Sequence, residues 1–277
     1  MKHGKKTFVI IEAVLGILVI LVLGFIIYKQ NGHEPETIAV IIPDVDESEW
    51  SAFKYGLKMA AREYDTDVVI ISKDNMETAN EEIEIMNQEI AKGADAVIVK
   101  PIANRDGQQK LKQLEKSVPI MAVGDTFPEE PSGLHTIEPD HYHMGADLAQ
   151  KLLENYRGNL IGKKIGIYSQ YATSEAVIKR KKGICDTLKG SGAEILWSVS
   201  KGIGNSTEAV YYLDAGWAQC LVAPDEFDAG YESVAELIKK RRNFFYKMKD
   251  RQITYTVLTR ENLFSEENRN LLFTISR

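Results

Sequence analysis

Cysteine is scarce in this chain of 277 residues, which contains only Cys185 and Cys220. Two cysteines are too few for a disulfide framework, and neither has the close Cys or His neighbours that a zinc site needs. An excess of positive charge is also absent, because 34 Lys and Arg residues stand against 40 Asp and Glu residues. The resulting net charge of -6 repels phosphate backbones, so the composition does not indicate a nucleic-acid-binding protein.

Motifs of common catalytic sites are missing as well. The sequence has no G-x-S-x-G nucleophile motif, and the glycine-containing segment at 202–206 lacks the Gly-Lys-Ser/Thr ending of a phosphate loop. His135, His141 and His143 raise the question of a metal site, but side chains at i and i+2 diverge on a helix, so we interpret them as surface histidines. The sequence therefore predicts no enzyme, no metal site and no cofactor.

One hydrophobic run is long, and it lies near the amino terminus. Residues 7–28 are interrupted only by Glu12 and match the ~20 residues that a helix needs to cross a bilayer core. The three lysines within residues 1–6 predict a cytoplasmic tail, with the rest of the chain outside the cell membrane. No small-residue cleavage site ends the run, so we expect an uncleaved, single-pass signal anchor. A cleaved signal peptide is the alternative, and it exports the same part of the chain.

After a polar linker at 29–36, two hydrophobic periods alternate along the chain. Short runs rich in β-branched residues are typical of parallel strands buried on both faces, and the stretches between them have a helical apolar stripe. Strands are predicted at 38–42, 67–71, 96–99, 118–123, 164–168, 194–199, 218–223 and 253–258, and helices at 50–64, 78–92, 107–116, 142–156, 174–189, 207–214 and 228–242. This alternation predicts an α/β fold of two doubly wound parallel-sheet lobes, with a ligand beyond the carboxyl ends of the strands.

Several short motifs follow one another in a specific order over 37–277. They are Trp50…Phe53…Gly56 after the first strand, Gly-Ala-Asp-Ala-Val-Ile-Val-Lys-Pro at 93–101, Val-Pro-Ile at 118–120, Asp-His-Tyr-His-Met-Gly-Ala at 140–146, and Ser174…Arg180-x-x-Gly183. In this order they resemble the sugar-binding branch of the periplasmic-binding-protein type I superfamily, the ribose- and galactose-binding-protein-like receptors of ABC transporters.

The resemblance implies two lobes connected by crossing segments. The N-lobe covers 37–126, with a helix at 226–246 returning to it; the C-lobe covers 127–225, with 253–264 returning to it, and a tail follows at 265–277. The implied protein closes on a carbohydrate and presents it to an ABC permease, without catalysis. A sensor kinase or chemoreceptor as the membrane partner, and a degenerate envelope-interaction domain without a small ligand, are the alternatives.

The resemblance also predicts a shortened C-lobe. Members of the family carry a further helix, strand and helix at the position where Lys201 is followed directly by Gly202 in this sequence. That part of the lobe supplies ligand contacts in the family. We therefore expect a C-lobe sheet that lacks an interior strand and a ligand site with fewer contacts from this lobe.

The resemblance implies six candidate ligand residues at or next to positions where, in the family, aromatic rings stack on sugar faces and polar side chains bind hydroxyls. They are Asp46, Trp50, Asp125, Arg180, Asn205 and Asp225. Asp125 is displaced by one residue, because Gly124 occupies the aligned position, and Asp225 is the nearest substitute for a glutamine that Pro224 replaces. Three of these positions have a structural alternative. Trp50 also fits a core position on its helix stripe, Asp46 fits a solvated acidic run, and Arg180 fits the solvated basic face of its helix.

Overall fold

The computed structural model describes most of the chain, namely residues 12, 14–23, 35–43, 50–73, 76, 78–102, 105–124, 134–169, 174–200, 207–266 and 268. It contains two compact units, Met1–Glu36 and Thr37–Arg277. In the first unit, residues 14–23 are helical and exposed. Within the described residues, no helix combines the length and the apolar character that a bilayer span requires. The anchor at 7–28 lies partly outside these residues and stays a prediction.

The second unit alternates strands and helices, as the sequence pattern predicts. The strands are β1 (Thr37–Pro43), β2 (Asp67–Lys73), β3 (Ala96–Val99), β4 (Ile120–Val123), β5 (His135–Pro139), β6 (Lys164–Ser169), β7 (Glu194–Ser200), β8 (Leu221–Pro224), β9 (Arg251–Ile253) and β10 (Tyr255–Leu258). The helices are α1 (Ser51–Tyr64), α2 (Ala79–Ala91), α3 (Arg105–Leu114), α4 (His141–Asn155), α5 (Glu175–Leu188), α6 (Thr207–Asp214) and α7 (Glu226–Arg242).

A six-stranded sheet organises the first half of this unit. Its strand order is β2-β1-β3-β4-β5-β9, and every neighbouring pair is parallel. The side chains of β3 and β4 are buried along their whole length, which explains why these strands have continuous apolar sequences. Because the strands are parallel, their carboxyl ends lie at one common edge of the sheet.

Helices cover both faces of this sheet, and β1 shows how the two cores are separated. Val40 packs into one core with side chains of α1 and α7, such as Phe53 and Leu237. Ile41, one residue further, packs into the other core with Met86 of α2 and Leu111 of α3. Successive side chains of a strand point to opposite faces, so a single apolar run supplies both cores.

The expectation of a second doubly wound parallel sheet is not met within the described residues. Strands β6 and β7 form a parallel pair, whereas β8 and β10 form a separate antiparallel pair. The loss of an interior strand at Lys201 stays a prediction, because residues 201–206 lie outside the described residues. Helices α4 and α5 pack closely on each other beside these strands.

Two strands were not predicted from the sequence. Strand β5 extends the six-stranded sheet beyond residue 126, the predicted end of the N-lobe. The segment predicted as one strand at 253–258 contains the end of β9 and all of β10, which belong to different sheets and are separated by Thr254. The crossing between the two sheets at this place is therefore one residue long.

Candidate functional site

The candidate site lies at the carboxyl edge of the six-stranded sheet, where the parallel fold places ligands. Lys100 follows β3, Gly124 follows β4, and Asp140 follows β5 and precedes α4. Trp50 lies directly before α1. These four residues come from separate parts of the sequence and are brought to one edge by the parallel order of the strands.

Trp50 is buried at this edge, with 5% of its surface exposed. Its ring packs edge-on against Phe53 at 5.4 Å between centroids, and it belongs to the core shared with α1 and α7. The core position that the helix stripe predicts for Trp50 is thus confirmed. Packing in an apolar core, however, gives the indole nitrogen no hydrogen-bond acceptor. Within the described part of the chain, the buried indole Nε1 has no hydrogen-bond partner. A buried N–H donor is normally paired, so this donor is unusual.

Lys100 contacts Trp50 and was not predicted as a site residue. Its ammonium group lies 4.7 Å from the centroid of the Trp50 ring, a cation–π geometry. The Lys100 side chain also lies next to Gly124, which has a φ of 76°: a β-carbon on Gly124 would be 4.0 Å from Lys100 Cε. A hydrogen bond of 3.1 Å from the Lys100 backbone N–H to the Ile41 carbonyl oxygen fixes its position beside β1. The sequence signals for Lys100 are its place immediately after a fully apolar strand and its position in the motif at 93–101.

His141 corrects our interpretation of the three histidines as surface residues. It lies in the first turn of α4 and is only 4% exposed, and its Nε2 lies 3.7 Å from Glu138 Oε2. His143 is exposed and pairs with the Asp140 carboxylate at 2.6 Å, so the two side chains do diverge. The burial of His141 comes from the packing of α4 at the sheet edge, which helical periodicity alone does not reveal. Among the described residues, no cluster of His, Cys, Asp and Glu could hold a metal ion.

Burial and neighbouring charges determine the protonation of His141. Burial, together with the charges of Arg180 and Lys179, lowers the pKa of the imidazole to about 3, against the opposing effects of the Gly124 backbone and Asp140. His141 is therefore neutral at physiological pH and carries one N–H donor and one acceptor nitrogen. Glu138 balances part of the charge, with its Oε1 3.8 Å from Lys179 Nζ.

Arg180 is half-buried on α5, so it does not lie on a fully solvated helix face. Its Nε donates a hydrogen bond to the Ala176 carbonyl oxygen at 3.3 Å, which turns the side chain toward the amino-terminal end of α5. This direction brings the guanidinium close enough to His141 to lower the histidine pKa. The structure thus brings Arg180 and His141 together, although only Arg180 was predicted.

Asp225 serves as the amino-terminal cap of α7. Its carboxylate accepts a hydrogen bond from the Asp228 backbone N–H at 3.1 Å, and its own N–H donates to the Thr254 carbonyl oxygen at 2.9 Å. These contacts fix the backbone where β8 passes into α7. Asp46, Asp125 and Asn205 lie outside the described residues, so their roles stay predictions.

Two surface grooves lie away from this edge. They have volumes of about 470 Å³ and 550 Å³ and are lined by the carboxyl-terminal part of α5, the loop after it and, in one case, the end of α4. Since α4 begins at the carboxyl edge of the sheet and has 15 residues, its end lies about 20 Å from that edge. The grooves contain none of the predicted site residues.

Comparison with known proteins identifies the family. No curated protein matches this sequence. The family model described as periplasmic binding protein domain matches residues 38–201, more than half of the chain, and ends at the Lys201 junction.

Solved structures of low sequence identity share the fold. A carbohydrate transporter solute-binding protein from Agrobacterium radiobacter, in complex with D-arabinose, has a TM-score of 0.75 and 13% identity, over 87% of this chain and 100% of that one. A glucose-galactose binding protein from Geobacillus stearothermophilus has a TM-score of 0.72 and 15% identity, over 84% and 100% of the two chains. An ABC transporter solute-binding protein from Bacillus halodurans with bound myo-inositol has a TM-score of 0.71 and 17% identity, over 86% and 99%. Together with the family match, these similarities show that the chain belongs to the periplasmic binding protein family, whose members bind solutes and are not enzymes.

Proposed function

We propose that this protein is a membrane-anchored, extracytoplasmic receptor that binds a carbohydrate and presents it to an ABC permease. One observation carries the proposal: the buried Trp50 indole N–H has no acceptor within the described chain and lies beside Lys100 at the carboxyl edge of the sheet. A hydroxyl oxygen of a bound solute would supply the missing acceptor. The structural neighbours support the ligand class, since they are described as binding D-arabinose, glucose and galactose, or myo-inositol.

The chemistry of the edge suits a polyol. Trp50, Lys100, neutral His141 and Arg180 offer several hydrogen-bond donors, and a sugar offers many hydroxyl oxygens as acceptors. Arg180 in addition presents a planar fork of donors that matches vicinal hydroxyls. In the proposed mechanism, the solute lies between the six-stranded sheet and the first turns of α4 and α5, and closure of the two halves around it creates the surface that the permease binds.

The binding test uses the full chain in detergent and calorimetry against arabinose, glucose, galactose, allose, tagatose and myo-inositol. Trp50→Phe keeps an aromatic ring and removes the N–H, so we expect it to weaken binding by about 1 kcal/mol, or about fivefold in Kd. Trp217→Phe is the matched control, because Trp217 is 73% exposed. Arg180→Ala should cost about 1.5–3 kcal/mol of binding if the guanidinium contacts hydroxyls. A folded chain that binds no sugar of the panel contradicts the proposal.

The anchor is tested by membrane fractionation of a bacterium that expresses the chain. The apolar run at 7–28 should keep the protein with the membranes after a high-salt wash, and protease added from outside should release the rest of the chain. A soluble form that starts near residue 30 would replace the anchor with a cleaved signal peptide.

A further inference from the structure

Two adjacent phenylalanines project from the turn that follows α7. Phe244 is 84% exposed and Phe245 is 89% exposed, and their rings lie edge to face with centroids 5.6 Å apart. Contiguous exposed apolar groups mark sites of contact with a membrane or another protein, so this pair of rings is a candidate contact surface.

The turn that carries these rings is held by a set of hydrogen bonds. The Asn243 side-chain oxygen accepts from the Phe245 backbone N–H at 3.0 Å, and the Tyr246 N–H donates to the Asn243 carbonyl oxygen at 2.9 Å. The Lys240 ammonium donates to the carbonyl oxygens of Phe244 and Tyr246 at 3.2 Å and 3.0 Å. The exposure of the two rings is therefore a property of a defined turn.

The buried carboxylate of Glu236 connects residues 246–251 to α7 through hydrogen bonds. Glu236 accepts hydrogen bonds from the Tyr246 hydroxyl at 2.7 Å and from Arg251 Nη2 at 2.9 Å. Met248 is buried in the core between these two contacts. Tyr246 and Met248 thus face the protein, which leaves Phe244 and Phe245 facing outward.

The surroundings of the two rings are strongly basic. Residues 239–251, named here the basic-aromatic turn, contain seven Lys and Arg residues and one acidic residue, Asp250. Lys247 and Lys249 are exposed and follow the two phenylalanines in the sequence, and the Lys240 ammonium lies 5.8 Å from the centroid of the Phe244 ring. The remainder of the chain after residue 33 has an excess of acidic residues, so this segment is a local reversal of charge. Such a patch attracts an anionic surface.

The basic-aromatic turn also lies where the chain enters this unit. The Asp95 carboxylate accepts a hydrogen bond from the Thr37 backbone N–H at 3.0 Å and pairs with Arg241 at the end of α7. Thr37 is the first residue of β1, and eight residues separate it from Tyr28, the end of the predicted anchor. A segment of eight residues spans at most about 30 Å.

We propose that the basic-aromatic turn docks on a bilayer surface rich in anionic phospholipid. Phe244 and Phe245 enter the headgroup region, and Lys247 and Lys249 lie against the phosphates. Apolar burial combined with electrostatic attraction is the established basis of interfacial binding, and the attraction falls off within a Debye length. The inference rests on the anchor in the proposed function, because the anchor brings the turn within reach of the membrane.

The experiment places the full chain in lipid nanodiscs and measures quenching of tryptophan fluorescence by brominated acyl chains. Phe245→Trp adds a reporter to the turn, and Phe264→Trp adds one at a second exposed phenylalanine as the matched control. After subtraction of the signal of the native tryptophans, we expect quenching of Phe245→Trp in discs with phosphatidylglycerol and little quenching of Phe264→Trp. Neutral phosphatidylcholine discs, 0.5 M salt, or the added pair Lys247→Glu and Lys249→Glu should each remove most of the quenching.

The outcomes separate docking from anchoring. Chain that elutes with the discs but shows no quenching of Phe245→Trp overturns the docking and leaves the anchor intact. Equal quenching in neutral and anionic discs overturns the role of charge. If the Phe245→Trp fluorescence is not quenched by lipid and changes only when a permease is added to the discs, the turn binds a protein and the docking on lipid is overturned. Chain that does not elute with the discs overturns the anchor and the docking together.

Discussion

The backbone carbonyl oxygen of Arg180 lies only 2.0 Å from the place that a β-carbon on Gly145 would occupy. Gly183 has the reciprocal relationship with the carbonyl oxygen of Tyr142. Helices α4 and α5 therefore cross backbone to backbone, with one glycine from each helix at the crossing. A side chain at either glycine forces the two helices apart.

Gly145→Ala should destabilise the protein, because its methyl group overlaps backbone atoms that cannot rotate away. We expect a loss of about 2–3 kcal/mol in the free energy of unfolding, as for other overpacked sites. Gln150→Ala, at an exposed position of the same helix, is the control and should change little. Urea denaturation measures both variants, and equal midpoints for Gly145→Ala and the parent chain would contradict the close crossing.

Acid should destabilise the protein through His141. The imidazole has an ordinary pKa of 6.5 and a folded-state pKa of about 3, so between these values the unfolded chain binds a proton that the folded chain does not. The free energy of unfolding therefore falls as pH falls through this window, by about 3 kcal/mol at pH 4. His141→Asn should remove this part of the acid sensitivity, whereas the exposed His143→Asn should retain it. Denaturation curves between pH 7 and pH 4 distinguish the two variants.

Glu82 should lower the free energy of unfolding as pH rises, which is the opposite of the pH dependence expected from His141. Burial raises its pKa from 4.5 to about 7, although its carboxylate accepts the Ile102 backbone N–H at 3.0 Å. Above pH 4.5 the unfolded chain loses its proton first, so this group lowers stability as pH rises from 4.5 to 7, by about 3 kcal/mol at pH 8. Glu82→Gln keeps the acceptor and should be more stable than the parent at pH 8. Glu84→Gln, on the exposed face of α2, should show the parent's pH dependence.

Hydrogen exchange should differ between the two halves of residues 37–277. We expect the amides of β1, β3 and β4 to exchange most slowly, because both faces of these strands are buried under helices. The β6–β7 pair should exchange faster, since it is not joined to a further strand in the described chain and Ile195 in β7 is 38% exposed. Uniform protection over both halves would show that the interrupted sheet has no effect on local stability.

The sequence predicts the six-stranded sheet well where a strand is a continuous apolar run. The pattern of β1, β3 and β4 requires burial on both faces, and these strands occupy the centre of the sheet. Strand β5 was missed because its sequence, His-Thr-Ile-Glu-Pro, contains three charged or polar residues and only one branched aliphatic side chain. Strand β9 has three residues, too few for a period to be recognised.

Sequence reasoning named only part of the candidate site. Trp50 and Arg180 were named from the order of the motifs, whereas Lys100 beside Trp50 and the buried His141 near Arg180 were not. Lys100 gains its role from its contact with a ring fifty positions earlier in the sequence, and His141 gains its burial from a tertiary contact. The Arg180-x-x-Gly183 spacing also has a second explanation, because the glycine serves the helix crossing.

The crossings between the six-stranded sheet and the other strand pairs are short. Asp140 alone separates β5 from α4, Asp225 alone separates β8 from α7, and Thr254 alone separates β9 from β10. The Asp225 N–H bonds to the Thr254 carbonyl oxygen, so two of these crossings are tied together. Because each crossing is one residue long, a rotation of α4 and α5 relative to the six-stranded sheet would have to be made by the backbone torsions at these positions. We therefore expect substitutions that restrict those torsions, such as Thr254→Pro, to hinder closure around a solute.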